Sequence, residues 1–517
     1  MQYDTRSYCP QPLVMKKSAL LSALGFCLAT SVIAQTAGDN QWRPAVHYTP
    51  SQAWMNDPNG MVYVDGVYHL FYQYTPGSST FGPVHWGHAT TRDLIHWQEQ
   101  PVALSPDSLG YIFSGSAVLD EKNTSGFDTT GKPPIVAFYT SHDAKREQAS
   151  HKNYEAQSLA YSLDGGTTWL KYAGNPVLKS PGSKDFRDPK VSWYEAGKKW
   201  IMALAVTDHI EFYSSANLKA WKKESEFGKG LGAHGGVWEC PDLFPLEYDG
   251  KQIWVLLVSI NPGGPSGGSA TQYFTGSFNG RTFAPDNAGT KWIDGAADNY
   301  AGVTWSNTGA RRIFLGWMSN WDYAAKVPTQ KWRGAMTIPR ELAVTQTGGQ
   351  YYLTSMPVRE LNKSLLTQSV DTTIITNVQA AGASLQYPPP NNAYRLDVTM
   401  NLLQDCSLSF SNASGETLVL GYDKAAGQFY VDRSRAGRSD FHQGFAVRHT
   451  APRLSKDPQS KFTILIDRAS VEFFADGGLT SMTDIFFPQS LLNEIRIKDA
   501  DGAALNTVTL KVVAPTY

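Results

Sequence analysis

Five continuous apolar runs constrain this chain more than any other feature: Tyr68 to Tyr74 (YHLFYQY), Ile135 to Ser141 (IVAFYTS), Trp200 to Val206 (WIMALAV), Trp254 to Ile260 (WVLLVSI) and Ile313 to Ser319 (IFLGWMS). Their starts are separated by 67, 65, 54 and 59 residues. A short run with no helical periodicity reads as a strand buried on both faces. Its recurrence at similar spacing predicts the inner strand of a stacked or radial sheet repeat. Downstream of four runs come turn-and-aromatic segments, Asp93 to Trp97, Asp164 to Trp169, Asn217 to Trp221 and Asn279 to Phe283. In each, an Asp or Asn turn former precedes a large ring able to cap the sheet. The fifth run has no clear copy. Five sheets around an axis, a five-bladed β-propeller, is the economical reading.

Beyond about residue 345 the repeat stops. Thr345 to Gln350 and Gln386 to Asn392 are polar and marked by Gly or Pro, and the remainder alternates in short strands such as Phe462 to Asp467. The expected division is a propeller over 35–350, a linker over 351–364 and a β-sandwich over 365–517, with a small barrel as the alternative for the last. Only 18% of residues are charged, while Gly (45) and Pro (29) are abundant, which excludes a coiled coil and suits an all-β protein. A net charge of −1 gives no electrostatic reason to expect nucleic acid or an acidic membrane as partner. A homo-oligomer is compatible with the composition.

Met15-Lys16-Lys17 followed by the apolar run Ala19 to Ala34 reads as a signal peptide over about 15–34, too short to span a bilayer. The expectation is a secreted or periplasmic protein, with residues 1–14 an upstream extension. Removing residues 1–34 takes away Cys9 and Cys27 and leaves Cys240 and Cys406, which do not make a disulfide framework.

Acids precede the runs at similar offsets: Asp57 by 11 residues, Asp188 by 12, Glu239 by 15 and Asp298 by 15. In a propeller this position belongs to the innermost strand of each sheet, so carboxylates distant in sequence converge at one mouth of the channel. Their contexts, Trp54-Met55-Asn56-Asp57-Pro58-Asn59-Gly60, Phe186-Arg187-Asp188-Pro189 and Trp238-Glu239-Cys240-Pro241, set each acid beside a rigidifying Pro and near an aromatic or Arg. Two carboxylates across a glycosidic bond can act as nucleophile and proton donor. A Glu among apolar groups keeps its proton longer than an Asp surrounded by donors.

These motifs, with FSGSA at 113–117, NTSGF at 123–127, GGVWECPDLF at 235–244 and the SNW to WRGAM stretch at 319–336, resemble the β-fructofuranosidase family of invertases, exo-inulinases and levanases. The phrasing is most similar to bacterial levanases. The resemblance runs from about Arg43 into the sandwich, and the family's fold, a five-bladed propeller followed by a C-terminal β-sandwich, agrees with the repeat count. It implies Asp57 as nucleophile, Glu239 as acid/base and Asp188 as transition-state stabiliser. Asn56, Gln73, Phe113, Ser114, Arg187 and Trp321 are implied to line the fructose pocket, with Trp54 near its floor. Arg187 has the alternative of a purely structural ion pair with Asp188. No metal or organic cofactor is implied. Relatives often carry Trp eight residues after the pocket Gln where this chain has Phe81, which keeps a stacking face and loses the indole N–H.

The implied activity is retaining, exo-acting hydrolysis of terminal β-D-fructofuranosyl units of fructans (levan, inulin) or sucrose. The alternatives are a fructosyltransferase using the same covalent intermediate and a non-catalytic fructan-binding protein, the latter disfavoured by the intact acids. Gly264-Pro265-Ser266-Gly267-Gly268 matches G-x-S-x-G, but the strand-like Thr271 to Phe278 that follows makes it a hairpin loop rather than a nucleophile elbow. His85 and His88 lack a third metal ligand and read as structural. Cys240 reads as a small buried hydrophobe, and the resemblance adds that it tunes the neighbouring acid.

Overall fold

The computed structural model describes residues 40–129, 131–362, 373–376, 383–386, 393–499 and 505–512. The expected signal peptide, Cys9 and Cys27 lie outside them. The fold is all-β, a propeller followed by a β-sandwich.

Residues 53–357 form five sheets of four or five strands, each built in chain order from an inner strand outward. The inner strands are Ala53–Val64, Tyr111–Leu119, Phe186–Tyr194, Val237–Tyr248 and Tyr300–Thr304. Each packs beside the next, and the fifth packs beside the first. Trp332–Arg333 also pairs in parallel with Ala53 and Trp54, so a segment that follows the fifth inner strand in sequence joins the first sheet.

The five apolar runs occupy the second strand of every sheet, Val67–Thr75, Ile135–His142, Lys199–Val206, Lys251–Asn261 and Ile313–Trp317, and not the inner one as their pattern predicted. The second strand is the one clamped between neighbouring sheets, so both its faces are apolar. The inner strand carries polar side chains toward the axis. The four turn-and-aromatic segments link third to fourth strands. In each, the Asp or Asn side chain accepts backbone N–H bonds, as Asn217 does from Lys219 and Ala220 at 3.0 Å. Their rings pack on the preceding sheet: Trp169 on Phe71, Trp221 on Phe138, Phe283 on Phe227, and Trp97 on Trp305 of the fifth.

The expected break at 350 falls inside a hairpin. Gly348 and Gly349 take positive φ (58° and 79°), and Gln350–Pro357 pairs with Arg340–Thr347 as the outer strand of the fifth sheet. The polar stretch where the repeat stops is therefore a turn, and the first part of the expected linker, 351–357, is strand, so the fifth sheet runs to Pro357.

Two six-stranded antiparallel sheets make up the sandwich. Tyr394–Met400 and Cys406–Ser411 alternate buried with half-buried residues, and Leu396, Val398, Phe462 and Ile464 of one sheet meet Leu408, Phe410, Phe429 and Val431 of the other. Ser470–Ala475 and Thr480–Ile485 are buried on both faces because their outer side lies on the propeller.

That junction is charged. Glu472 accepts from Arg340 Nε (2.8 Å), Ile338 N (2.7 Å) and His47 Nε2 (2.7 Å), while His47 Nδ1 faces Asp467 at 2.8 Å. Burial alone would lower the His47 pKa, but hydrogen bonds and charge from Asp467 and Glu472 override it and raise it to about 9. Asp298, expected among the converging acids, belongs here instead. Its carboxylate accepts from Arg433 Nη1 and Tyr323 OH, both at 2.6 Å, and from Ile485 N at 2.9 Å.

Candidate active site

Every inner strand carries one extra residue at the same level. The register slips between Met55 and Pro58, Ile112 and Gly115, Arg187 and Lys190, Glu239 and Asp242, and Tyr300 and Val303. In a regular strand consecutive side chains face opposite sides. A bulge re-aims them, so Asn56 with Asp57, Phe113 with Ser114, and Arg187 with Asp188 approach the same mouth as consecutive pairs. Asp188, Cys240 and Ala301 take φ of 63°, 46° and 53° to do so, a region that costs a non-glycine residue about 1 kcal/mol or more.

Asp57 is held at both oxygens. Ser114 Oγ donates to Oδ2 at 2.7 Å and Asn56 Nδ2 to Oδ1 at 2.9 Å. Trp54 Nε1 donates to Asn56 Oδ1 at 2.8 Å, which fixes the amide with its NH2 toward Asp57. Asp188 Oδ2 accepts the Cys240 N–H at 2.9 Å, and Cys240 Sγ lies 3.5 Å from the same atom and 3.7 Å from Asp57 Oδ2. Glu239 receives Arg187 Nε and Nη2 at Oε1, each at 3.0 Å, and the Tyr300 hydroxyl at Oε2.

Burial raises the pKa of Glu239, the Arg187 guanidinium opposes the rise, and the Asp57 charge adds to it. Asp188 is also raised, by burial first and then by the Glu239 charge. The Glu239 charge contributes to the rise at Asp188, so these two carboxyls do not ionise independently. Burial and the surrounding acids push the Cys240 thiol well above the ordinary range, so it stays an S–H.

An aromatic wall flanks the acids. Trp54 and Trp321 stack with centroids 5.8 Å apart, and Phe81, 44% exposed at the rim, meets Trp321 at 5.7 Å, Trp54 at 6.2 Å and Phe113 at 6.3 Å. Gln73 Nε2 donates to Ile112 O at 3.0 Å and ties the first two sheets beneath this wall.

The structure thus brings Asp57, Asp188 and Glu239 together with Asn56, Ser114, Arg187 and the aromatic wall, leaves Asp298 at the junction, and adds Tyr300. Tyr300 lies 13 residues before the fifth run, within the span of the acids' offsets, so the repeat pointed to the right stretch while the carboxylate at Asp298 drew the reading two residues away. Arg187 pairs with Glu239 and with Glu155 and Asp185. The expected Arg187–Asp188 alternative is not the pairing observed.

The remaining motifs are structural. Ser266 closes the hairpin between Lys251–Asn261 and Ala270–Phe278 and donates to Gly295 O at 2.8 Å, with no helix following. His88 Nε2 meets His69 Nδ1 at 3.1 Å, and burial lowers the pKa of both, to about 3 and 4. His209, Glu211 and Glu226 cluster on the third sheet, where Lys223 already pairs with both carboxylates. A cavity of about 740 Å³ opens at the opposite ends of the inner strands. It contains none of the three acids, and Lys190 there pairs with Asp242 at 3.1 Å and Thr304 O at 2.6 Å.

An all-β ring that presents fixed carboxyls beside an aromatic wall, two of them raised by burial, has the groups that hydrolysis of a glycosidic bond requires. Comparison with known proteins gives the family. The glycosyl hydrolases family 32 N-terminal domain matches residues 47–356 and the family 32 C-terminal domain residues 360–513. The chain is 44% identical over 477 residues to a levanase of Bacillus subtilis, covering 90% of this chain and 69% of the relative. It is 38% identical over 525 residues to an extracellular exo-inulinase of Aspergillus niger, covering 94% and 96%. The crystal structure of exo-inulinase from Aspergillus awamori superposes with a TM-score of 0.84 at 34% identity, covering 92% of this chain and 99% of that one. The chain belongs to glycosyl hydrolase family 32.

Proposed function

We propose that the protein hydrolyses terminal non-reducing β-D-fructofuranosyl units of levan, inulin and sucrose with retention of configuration, after export through the signal peptide. Five sheets serve as the five blades of the propeller, with the substrate at the mouth where the inner strands bulge.

Asp57, oriented by Asn56 and Ser114, attacks the anomeric C2. As the C2–O bond to the leaving sugar breaks, the proton of Glu239 passes to the departing oxygen. Positive charge builds on the fructosyl ring, and Asp188 and Asp57 lie where it develops. In the second half Glu239, now a carboxylate, takes a proton from water as the water oxygen attacks C2, and Asp57 is released. The observation that carries this reading is the unlike treatment of two carboxyls. Asp57 is held by two neutral donors, while Glu239 is buried and raised.

The test is proton NMR of the first turnover on sucrose together with Asp57→Ala. Retention releases β-fructofuranose first, and the variant falls below about a hundredth of the wild-type rate. Initial release of the α anomer, or a variant above that rate, overturns the reading. Free fructose equal to free glucose in concentrated sucrose distinguishes hydrolysis from transfer to a second sugar.

A further inference from the structure

Arg187 cannot orient Glu239 by itself. It is a long side chain with three carboxylates within reach, and which edge of its guanidinium faces Glu239 depends on what holds the other end. Nη1 is the held end. It donates to Glu155 Oε1 at 3.2 Å and Oε2 at 3.5 Å, and to Asp185 Oδ1 at 2.8 Å. Nε is left to donate to Glu239 Oε1 at 3.0 Å, with Nη2 at 3.0 Å from the same oxygen.

We propose that Glu155 is a positioning residue for the proton donor, acting through Arg187. This rests on the reading of Glu239 as acid/base. Glu155 starts the third strand of the second sheet, Glu155–Ser162, and its side chain is only 1% exposed. A carboxylate this buried is costly unless paired, and its partners face it from two sides. One is Arg187. The other is His142, the cross-strand neighbour of Glu155, whose Nδ1 lies 3.2 Å from Glu155 Oε1.

His142 is itself fixed. Its ring stacks on Phe113 with centroids 4.0 Å apart and planes at 6°, and its Nε2 lies 3.1 Å from Glu147 of the short helix Ala144–Gln148. Glu155 is therefore anchored to the pocket wall and hands that rigidity to the acid. Asp185 is a less firm substitute, since it sits two residues from Arg187 on the same stretch and is 21% exposed.

The experiment compares Glu155→Gln with wild type on sucrose and on an activated aryl β-fructofuranoside, alone and in the Glu239→Gln background, with thermal melting alongside. Glu155→Gln is expected to lower kcat/KM on sucrose about 10- to 100-fold, as misplacing a reacting group does. On the aryl substrate, whose leaving group needs little protonation, the loss is expected to be at least about fivefold smaller. Introduced with Glu239→Gln, it should cost almost nothing more on the aryl substrate, because the two act as one unit. A purely structural Glu155 gives equal losses on both substrates that persist in the double variant, and that result overturns the proposal. If Glu239→Gln alone lowers both substrates equally, the acid assignment fails first and takes this proposal with it. Should Glu155→Gln not fold, Glu155→Asp, which withdraws the carboxylate by one methylene, is read by the same criteria.

Discussion

Raising the pH from 6.5 to 9.5 should weaken the junction between propeller and sandwich through one residue. His47 lies fully buried between Asp467 and Glu472, with a folded-state pKa of about 9 against 6.5 when free. A group raised on folding contributes its full stabilisation below its unfolded pKa and loses it as pH climbs through the folded one. At about 1.36 kcal/mol per pH unit the difference amounts to about 3 kcal/mol. For a chain of this size, with an unfolding entropy of about 1 kcal/mol/K, that is about 3 °C in Tm. The raised acids of the active site also lose stabilisation with rising pH, so the His47 contribution is read as a difference. His47→Gln cannot take up the proton and leaves buried Asp467 without its cation, while Glu472 keeps Arg340, so at pH 6.5 it should be about 3–5 kcal/mol less stable than wild type. By pH 9.5 that gap should shrink by about 3 kcal/mol. Scanning fluorimetry of both proteins across the window measures it. A gap that stays constant from pH 6.5 to 9.5 refutes the assignment of a charged His47 to the junction.

Three further outcomes follow from the geometry. Tyr300→Phe removes a donor that opposes the raised pKa of Glu239; the alkaline limb of the kcat profile, where the acid loses its proton, should move up by about 1 pH unit, and an unmoved limb separates Tyr300 from the acid's titration. Ser114→Ala takes the hydroxyl donor from Asp57 and should lower kcat on sucrose about tenfold at unchanged Tm, as checked by steady-state kinetics and melting. A chain ending after Val358 keeps the fifth sheet whole but uncovers Arg340, Asp294 and Asp298 together with the apolar face under Phe474; it should aggregate on expression, and a soluble, sucrose-active product would show that the sandwich is dispensable.

How much of this was legible in the sequence depends on whether a residue's partner is local. The apolar runs announced five sheets because burial on both faces leaves a mark in seven consecutive residues. The Asx turns at Asp93, Asp164, Asn217 and Asn279 were readable because the accepting side chain and the backbone N–H that donates to it lie within a few residues. The rank of each strand within its sheet was not readable, since it depends on which faces the neighbouring sheets cover. Nor was the fate of Asp298, whose partners Arg433 and Ile485 come from the other domain. Glu155 carries no motif. Its meaning appears only when Arg187 and Glu239, 32 and 84 residues away, are seen on the inner strands beside it.

The segment just ahead of the first sheet has a long wait during synthesis. Trp42 Nε1 donates to Pro488 O at 2.7 Å, Ala45 and Val46 donate to Asp467 at 2.9 and 3.0 Å, and Thr49 Oγ1 donates to Gly334 O at 2.8 Å. Residues near the start of the described chain thus find their partners only after some 285 to 446 further residues have been made. Until then the first sheet lacks the Trp332–Arg333 strand, and Ala53 and Trp54 present an unpaired edge. Pairings this distant fold slowly and stay open to intermolecular pairing meanwhile. The ring can close only once residues 332–357 are available, and the segment at 42–49 is held in full only when residue 488 is too, so the yield of native enzyme should be set by how well the unfolded chain is shielded until then.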